Sequence, residues 1–161
     1  MKALLYQKPG RANGGIVEVP DPVCGDGQVL IRVMACGICK PADTSHDRAG
    51  AVLGRYPVIP GHEFSGIVEK VGKLVTNVKV GDRVCVETAT FDPLLDCSRN
   101  GRPDFDNTPC GDSFMELDKG FRTGMGFAEK AIVPASLCVK FDGMTFEEAA
   151  IMEPMGVAYD L

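Results

Sequence analysis

Glycine and proline interrupt this chain at short intervals, and that punctuation limits what it can become. Together they account for 30 of 161 residues (19 Gly and 11 Pro), a density that favours turns and short strands over a helix bundle. Gln28 to Cys36 reads QVLIRVMAC, a mostly apolar run carrying β-branched residues, with Asp26-Gly27 before it and Gly37 after it; it predicts a strand. Lys2 to Tyr6, Phe64 to Val71, Arg83 to Val86, Phe127 to Val133 and Leu137 to Phe141 predict further strands, and Pro9 to Gly15 a turn-rich connection. Strands separated by turns, without long helices between them, imply a mainly β domain with short helices, an irregular β-barrel or sandwich rather than βαβ repeats.

Two short helices are expected. Cys39 to Asp47 forms one, its start limited by Pro41. The other follows Thr145, where Thr145-Phe146-Glu147-Glu148 spells a capping box. It is expected to run through Ala149, Ala150 and Ile151 and to be disturbed at Pro154, which lacks an N–H. Thr88 to Gly126 is polar and weakly patterned, too long for an ordinary hairpin connection; such loops are usually functional, mobile or self-packed.

Composition removes several classes of function. With 17 basic against 22 acidic residues and a net charge of −5, and no long basic run, the footprint of a nucleic-acid binder is missing. No apolar stretch approaches the roughly 20 residues of a membrane span. Met1 to Pro9 has too short an apolar core for a signal peptide. The seven cysteines are an odd number, and without a secretory segment they read as reduced thiols in a cytoplasmic protein.

The residues with most chemistry lie in Pro60-Gly61-His62-Glu63-Phe64-Ser65-Gly66. An imidazole beside a carboxylate, bracketed by glycines at the mouth of a strand, offers donors suited to zinc. Alone, this stretch also fits a turn with one satisfied histidine. Cys36 upstream and Glu153 downstream change the balance, because ligands drawn from distant positions suit a catalytic zinc with one open place. Cys36-Gly37-Ile38-Cys39 also has the form of a redox pair or half a zinc knuckle. No second such pair and no βαβ pattern accompany it, so Cys39 is expected in packing, and Cys24 and Cys138 as core or surface thiols.

These motifs resemble the medium-chain alcohol dehydrogenase family. Gly61-His62-Glu63, followed by Gly66, Gly72 and Val75, is similar to its zinc signature, and Cys36-Gly37-Ile38-Cys39 to its first-ligand segment. Gly81-Asp82-Arg83-Val84 and Gly126-Phe127-Ala128-Glu129 are similar to later turns and strands of that family. Ala149-Ala150-Ile151-Met152-Glu153-Pro154 resembles its sorbitol (polyol) dehydrogenase branch, in which a glutamate replaces a cysteine. The likeness spans essentially the whole chain.

The resemblance implies a GroES-like catalytic domain over residues 1–161 holding one zinc. Cys36 and His62 would be direct ligands, while Glu63 and Glu153 divide the remaining roles, one on the metal and one able to reach it through water. Zinc would activate the hydroxyl of a small alcohol or polyol, whose hydride passes to NAD or NADP. A homo-oligomer is implied for the full-length form. The family's nucleotide-binding domain follows the terminal helix, so residues 145–161 read as the start of a connection to an absent domain. The piece alone is then expected to turn over poorly; a stand-alone metal-binding module is the alternative. Gly124-Met125-Gly126 reads as a turn into the strand at Phe127 rather than a dinucleotide fingerprint. The loop matching the family's structural zinc lobe offers only Cys97 and Cys110, so no structural zinc is expected. The proton relay is altered: Pro41 has no hydroxyl, leaving Asp43 or Thr44 by a one-residue shift and His46 as terminal proton carrier. An exposed apolar surface is expected near Ile151 to Leu161.

Overall fold

A computed structural model of the chain describes residues 1–43, 56–87, 100 and 126–159. Strands β1 (Lys2–Tyr6) and β2 (Gly14–Glu18) form a two-stranded sheet. Strands β3 (Gln28–Cys36), β4 (Phe64–Val71), β5 (Arg83–Val86), β6 (Lys130–Pro134) and β7 (Cys138–Lys140) form a second sheet in the order β6-β3-β4-β5-β7. Every pairing is antiparallel. Isolated bridges Ala3↔Ala128 and Tyr6↔Val58 tie β1 to the segments leading into β6 and into the His62 loop. The expected mainly β architecture with short helices is what the chain adopts, its described strands lying in two open sheets.

The inner face of the larger sheet is built from Val29, Ile31, Phe64, Val68, Val84, Ala131 and Val133, all essentially sealed from water. Burying each large aliphatic or aromatic side chain among them is worth roughly 1.5–3 kcal/mol. Along β3, Val29 and Ile31 point inward, but the β3–β4 register shifts between Leu30 and Ile31 and again between Val33 and Ala35. A bulge inserts a residue and changes which face the following side chains take. Cys36, at the end of β3, consequently packs against the core.

β1, β3, β4 and β5 have the bounds that the apolar runs predict. The stretch Pro9 to Gly15 differs: a 3-10 turn at Arg11–Asn13 leads straight into β2. The glycines at 14 and 15 disguise that strand, and Gly14 is required because the Tyr6 ring occupies the place of a Cβ. Apart from Asn100 and Gly126, the stretch Thr88 to Gly126 lies outside the described residues.

The helices are α1 (Lys40–Asp43), α2 (Phe146–Ala150) and α3 (Met152–Tyr159). The capping box of α2 is complete: Glu148 N–H donates to Thr145 Oγ1 at 3.1 Å, and Thr145 N–H to Glu148 Oε2 at 2.7 Å. α2 buries Ala149 and Ala150 and packs on β3 and β4. It ends one residue before Ile151, and the chain restarts as α3. Pro154 does not disrupt α3, since it falls in the first turn, where helix N–H groups have no intrahelical partner. Ile151, Met155, Val157 and Tyr159 are exposed, Tyr159 at 91%, so the expected apolar surface is present over the described residues. Among them no helix is long and apolar enough to cross a membrane.

Candidate metal centre

The β3–β4 ladder ends with Cys36 opposite Phe64, and Gly37 N–H donates to Glu63 O at 2.7 Å just beyond it. The exit from β3 and the approach to β4 therefore run side by side, which is how residues far apart in sequence meet. Cys39 Sγ, a ring nitrogen of His62 and a carboxylate oxygen of Glu63 all lie within 4.8 Å of one another. Glu63 is buried; Cys39 and His62 are half-buried.

Small residues and one acid hold this corner in shape. Gly61 has φ +93°, a left-handed conformation that favours glycine. A Cβ on Gly37 would collide with the Glu63 carboxylate. Asp43, buried at the end of α1, accepts from Cys39 N–H at 2.8 Å through Oδ2 and from Gly61 N–H at 3.2 Å through Oδ1. Its Oδ1 also stands 3.7 Å from His62 Nδ1. One carboxylate thus braces the backbone beside the thiol, the backbone beside the imidazole, and the imidazole itself.

Of the four residues expected on the metal, the structure brings His62 and Glu63 together, with Cys39 as the cysteine in the same group. Cys36 lies beside this group but outside it: a Cβ built on Gly61 or Gly126 would stand 2.9 or 2.7 Å from its Sγ, so the thiol fills the space between two glycines. Its S–H donates to Gly37 O at 3.4 Å. Burial, reinforced by the charges of Asp43 and Glu63, pushes this thiol up to about 12, which keeps it protonated in the metal-free protein. After the register shift between Val33 and Ala35, Cys36 packs against the core. Cys39, expected in packing, stands instead with the two other donors, one place before the short helix that ends at Asp43. Cys36 and Cys39 are both free thiols in this structure.

Glu153 lies in the first turn of α3, half-buried and outside the group of three. Thr44, His46, Cys97 and Cys110 lie outside the described residues. Cys24 donates to Gln28 O at 3.2 Å, and Cys138 is buried in β7.

The donor set fits zinc. Sulfur, imidazole nitrogen and carboxylate oxygen are its usual ligands, and a tetrahedral ion about 2.0–2.3 Å from each spaces them at roughly 3.3–3.8 Å. The observed trio needs only a slight closing. Three protein donors leave a fourth position free, the complement of a catalytic site rather than a closed structural one.

Comparison with known proteins identifies the domain family. Residues 25–143 match the profile of the alcohol dehydrogenase GroES-like domain. The chain is 35% identical over 159 residues to D-arabinitol dehydrogenase 1 of Uromyces fabae, covering 98% of this chain and 42% of that protein. It superposes with TM-score 0.82 and 30% identity on the cobalt- and zinc-bound thermostable alcohol dehydrogenase of Pyrobaculum aerophilum, covering 99% of this chain and 48% of the other. A short chain alcohol dehydrogenase (rspB) of E. coli CFT073, complexed with NADH, superposes with TM-score 0.79 and 28% identity over 99% of this chain and 44% of the other. The chain therefore spans somewhat less than half the length of these relatives.

Proposed function

Because the chain belongs to the alcohol dehydrogenase GroES-like domain family, we propose that it is the zinc-binding catalytic domain of an NAD(P)-dependent alcohol or polyol dehydrogenase. The observation that carries this reading is the convergence of Cys39, His62 and Glu63 within 4.8 Å at the mouth of β4. These three residues would hold the metal. When bound, zinc supplies a Lewis acid that lowers the pKa of a substrate hydroxyl.

The chain's own residues do the rest of the positioning. Cys39 and Glu63 bring two anionic donors to offset the cation's charge. Asp43 sits beside His62 Nδ1 and leaves Nε2 to face the ion, the outer-shell arrangement that fixes ring orientation in zinc sites. Both Asp43 oxygens are taken by backbone amides, so Asp43 serves as a brace, and proton removal falls to Thr44 and His46 in this reading. Glu153, on α3, is the second carboxylate, able to reach the ion through water. Likeness to a D-arabinitol dehydrogenase and to an NADH-bound relative supports a polyol substrate and a nicotinamide acceptor. Hydride transfer itself belongs to that cofactor.

The test is twofold. The purified chain is expected to take up one zinc, released by a strong chelator. The full-length gene product is expected to oxidise D-arabinitol or sorbitol with NAD⁺ or NADP⁺, to lose activity with the chelator and to regain it with zinc. A folded protein that binds no zinc, or polyol oxidation indifferent to its removal, overturns the reading.

A further inference from the structure

β4 begins right after His62 and Glu63, and its second residue, Ser65, makes a contact that the metal centre does not explain. Ser65 is fully sealed (0% exposed) between Ala35 of β3 and Cys85 of β5. Its hydroxyl donates to the Phe146 carbonyl in α2 at 2.6 Å. On the neighbouring strand, Arg83 Nη2 donates to Met144 O at 2.6 Å. The Arg83 guanidinium lies 4.7 Å from the Phe141 ring and 4.5 Å from the Phe146 ring, which meet edge to face at 5.7 Å. Arg83 Nε is buried with no hydrogen-bond partner among the described residues, a cost that the two rings and the Met144 bond offset.

The start of α2 is therefore gripped from two adjacent strands, on either side of its capping residue Thr145. Below it α2 offers the sheet only Ala149 and Ala150 as sealed side chains. Burial of such small groups is non-directional and allows a helix to slide, whereas a short hydrogen bond to one named carbonyl does not. Past α2 the path to Glu153 is short: Ile151 breaks the helix, and Met155 N–H returns to Ile151 O at 3.1 Å to open α3. Ser65 thus links the strand that directly follows His62 and Glu63 to the helix pair carrying Glu153.

We propose that Ser65 is a positioning residue. Its bond to Phe146, seconded by Arg83 on Met144, sets where Glu153 stands relative to the Cys39–His62–Glu63 corner. This rests on the reading above that the corner holds zinc and that Glu153 answers to it.

The experiment uses the whole chain loaded with Co²⁺ in place of zinc, together with hydrogen exchange on the metal-free protein. Ser65→Ala is expected to shift the visible cobalt bands in the same sense as Glu153→Gln, with no further shift in the double variant; Ser65→Thr is expected to restore them. Amides Met155 to Tyr159 are expected to exchange about five- to tenfold faster in Ser65→Ala, the scale of one lost buried hydrogen bond. Unchanged cobalt bands with unchanged exchange in α3, whatever the loss of melting temperature, overturns the proposal. So does a Glu153→Gln variant whose bands match the parent. If Ser65→Ala does not fold, Arg83→Lys removes the planar group between the rings, and the same two readouts decide in the same way. A chain that binds neither cobalt nor zinc sinks the zinc reading instead, and the exchange arm then judges Ser65 alone.

Discussion

The chain carries two pairs of cysteines on neighbouring pieces of structure, and they have opposite fates. At the β3–β4 corner, Cys39 stands with an imidazole and a carboxylate, and Cys36 wedges behind the loop that presents them. At the far edge, Cys85 of β5 and Cys138 of β7 meet backbone oxygens and hydrocarbon: Cys85 faces Val139 O at 3.6 Å and Cys138 faces Pro134 O at 4.0 Å. Burial pushes the Cys138 thiol up to about 12, with a smaller push from Cys85, and burial also raises Cys85. The same side chain stands among candidate metal donors in one place and is a small hydrophobe in the other. What separates them is whether other ligand atoms reach the sulfur.

The largest effect that bears on this contrast is Cys39→Ser, expected to weaken zinc binding by more than about 100-fold, beyond the 10–100-fold typical of outer-shell losses. Competition with a chromophoric chelator measures it, and near-parental affinity would dissolve the difference between the two regions. Asp43→Ala comes next, at about 10–100-fold in the same assay, because it frees the Cys39 and Gly61 amides and the His62 ring together.

Cys138→Ala probes the other side. A thiol held near 12 against an ordinary 9 keeps its proton in the folded state while the unfolded chain loses it above pH 9. Its stabilisation is therefore constant below pH 9 and is lost as the pH climbs from 9 to 12, by about 1.4 kcal/mol per pH unit. Denaturant melts of the parent and of Cys138→Ala are expected to differ by roughly 1 kcal/mol at pH 7 and to cross within about one pH unit above pH 9. Parallel curves would deny the burial of that thiol. The smallest change is expected for Cys36→Ser, whose zinc affinity stays within about threefold of the parent if the group of three, which leaves Cys36 out, is the full donor set, although its thermal midpoint falls. A collapse of affinity there would return Cys36 to the metal.

How much of this was legible follows the same physics. β3, β4 and β5 could be bounded from sequence because Asp26-Gly27, Gly37, Gly72 and Gly81-Asp82 bracket apolar runs. His62 and Glu63 were legible because adjacent ligand types between glycines are an uncommon local pattern. The placing of Cys39 beside them was not, since it depends on how the exit from β3 runs along the approach to β4, which only the strand pairing reveals. β2 was hidden by its opening glycines, whose need comes from the Tyr6 ring across the sheet. Pro154 looked like an obstacle because its place relative to the helix start depends on the break at Ile151, a tertiary outcome.

Asp43 has a thermodynamic consequence. By fastening the thiol-bearing and imidazole-bearing segments to each other with bonds that involve no ion, it moves the entropic cost of gathering ligands from binding into folding. A zinc finger falls apart when stripped; this corner is preorganised. Chelation is expected to leave the β scaffold standing, with the vacated donors ready for rapid reloading.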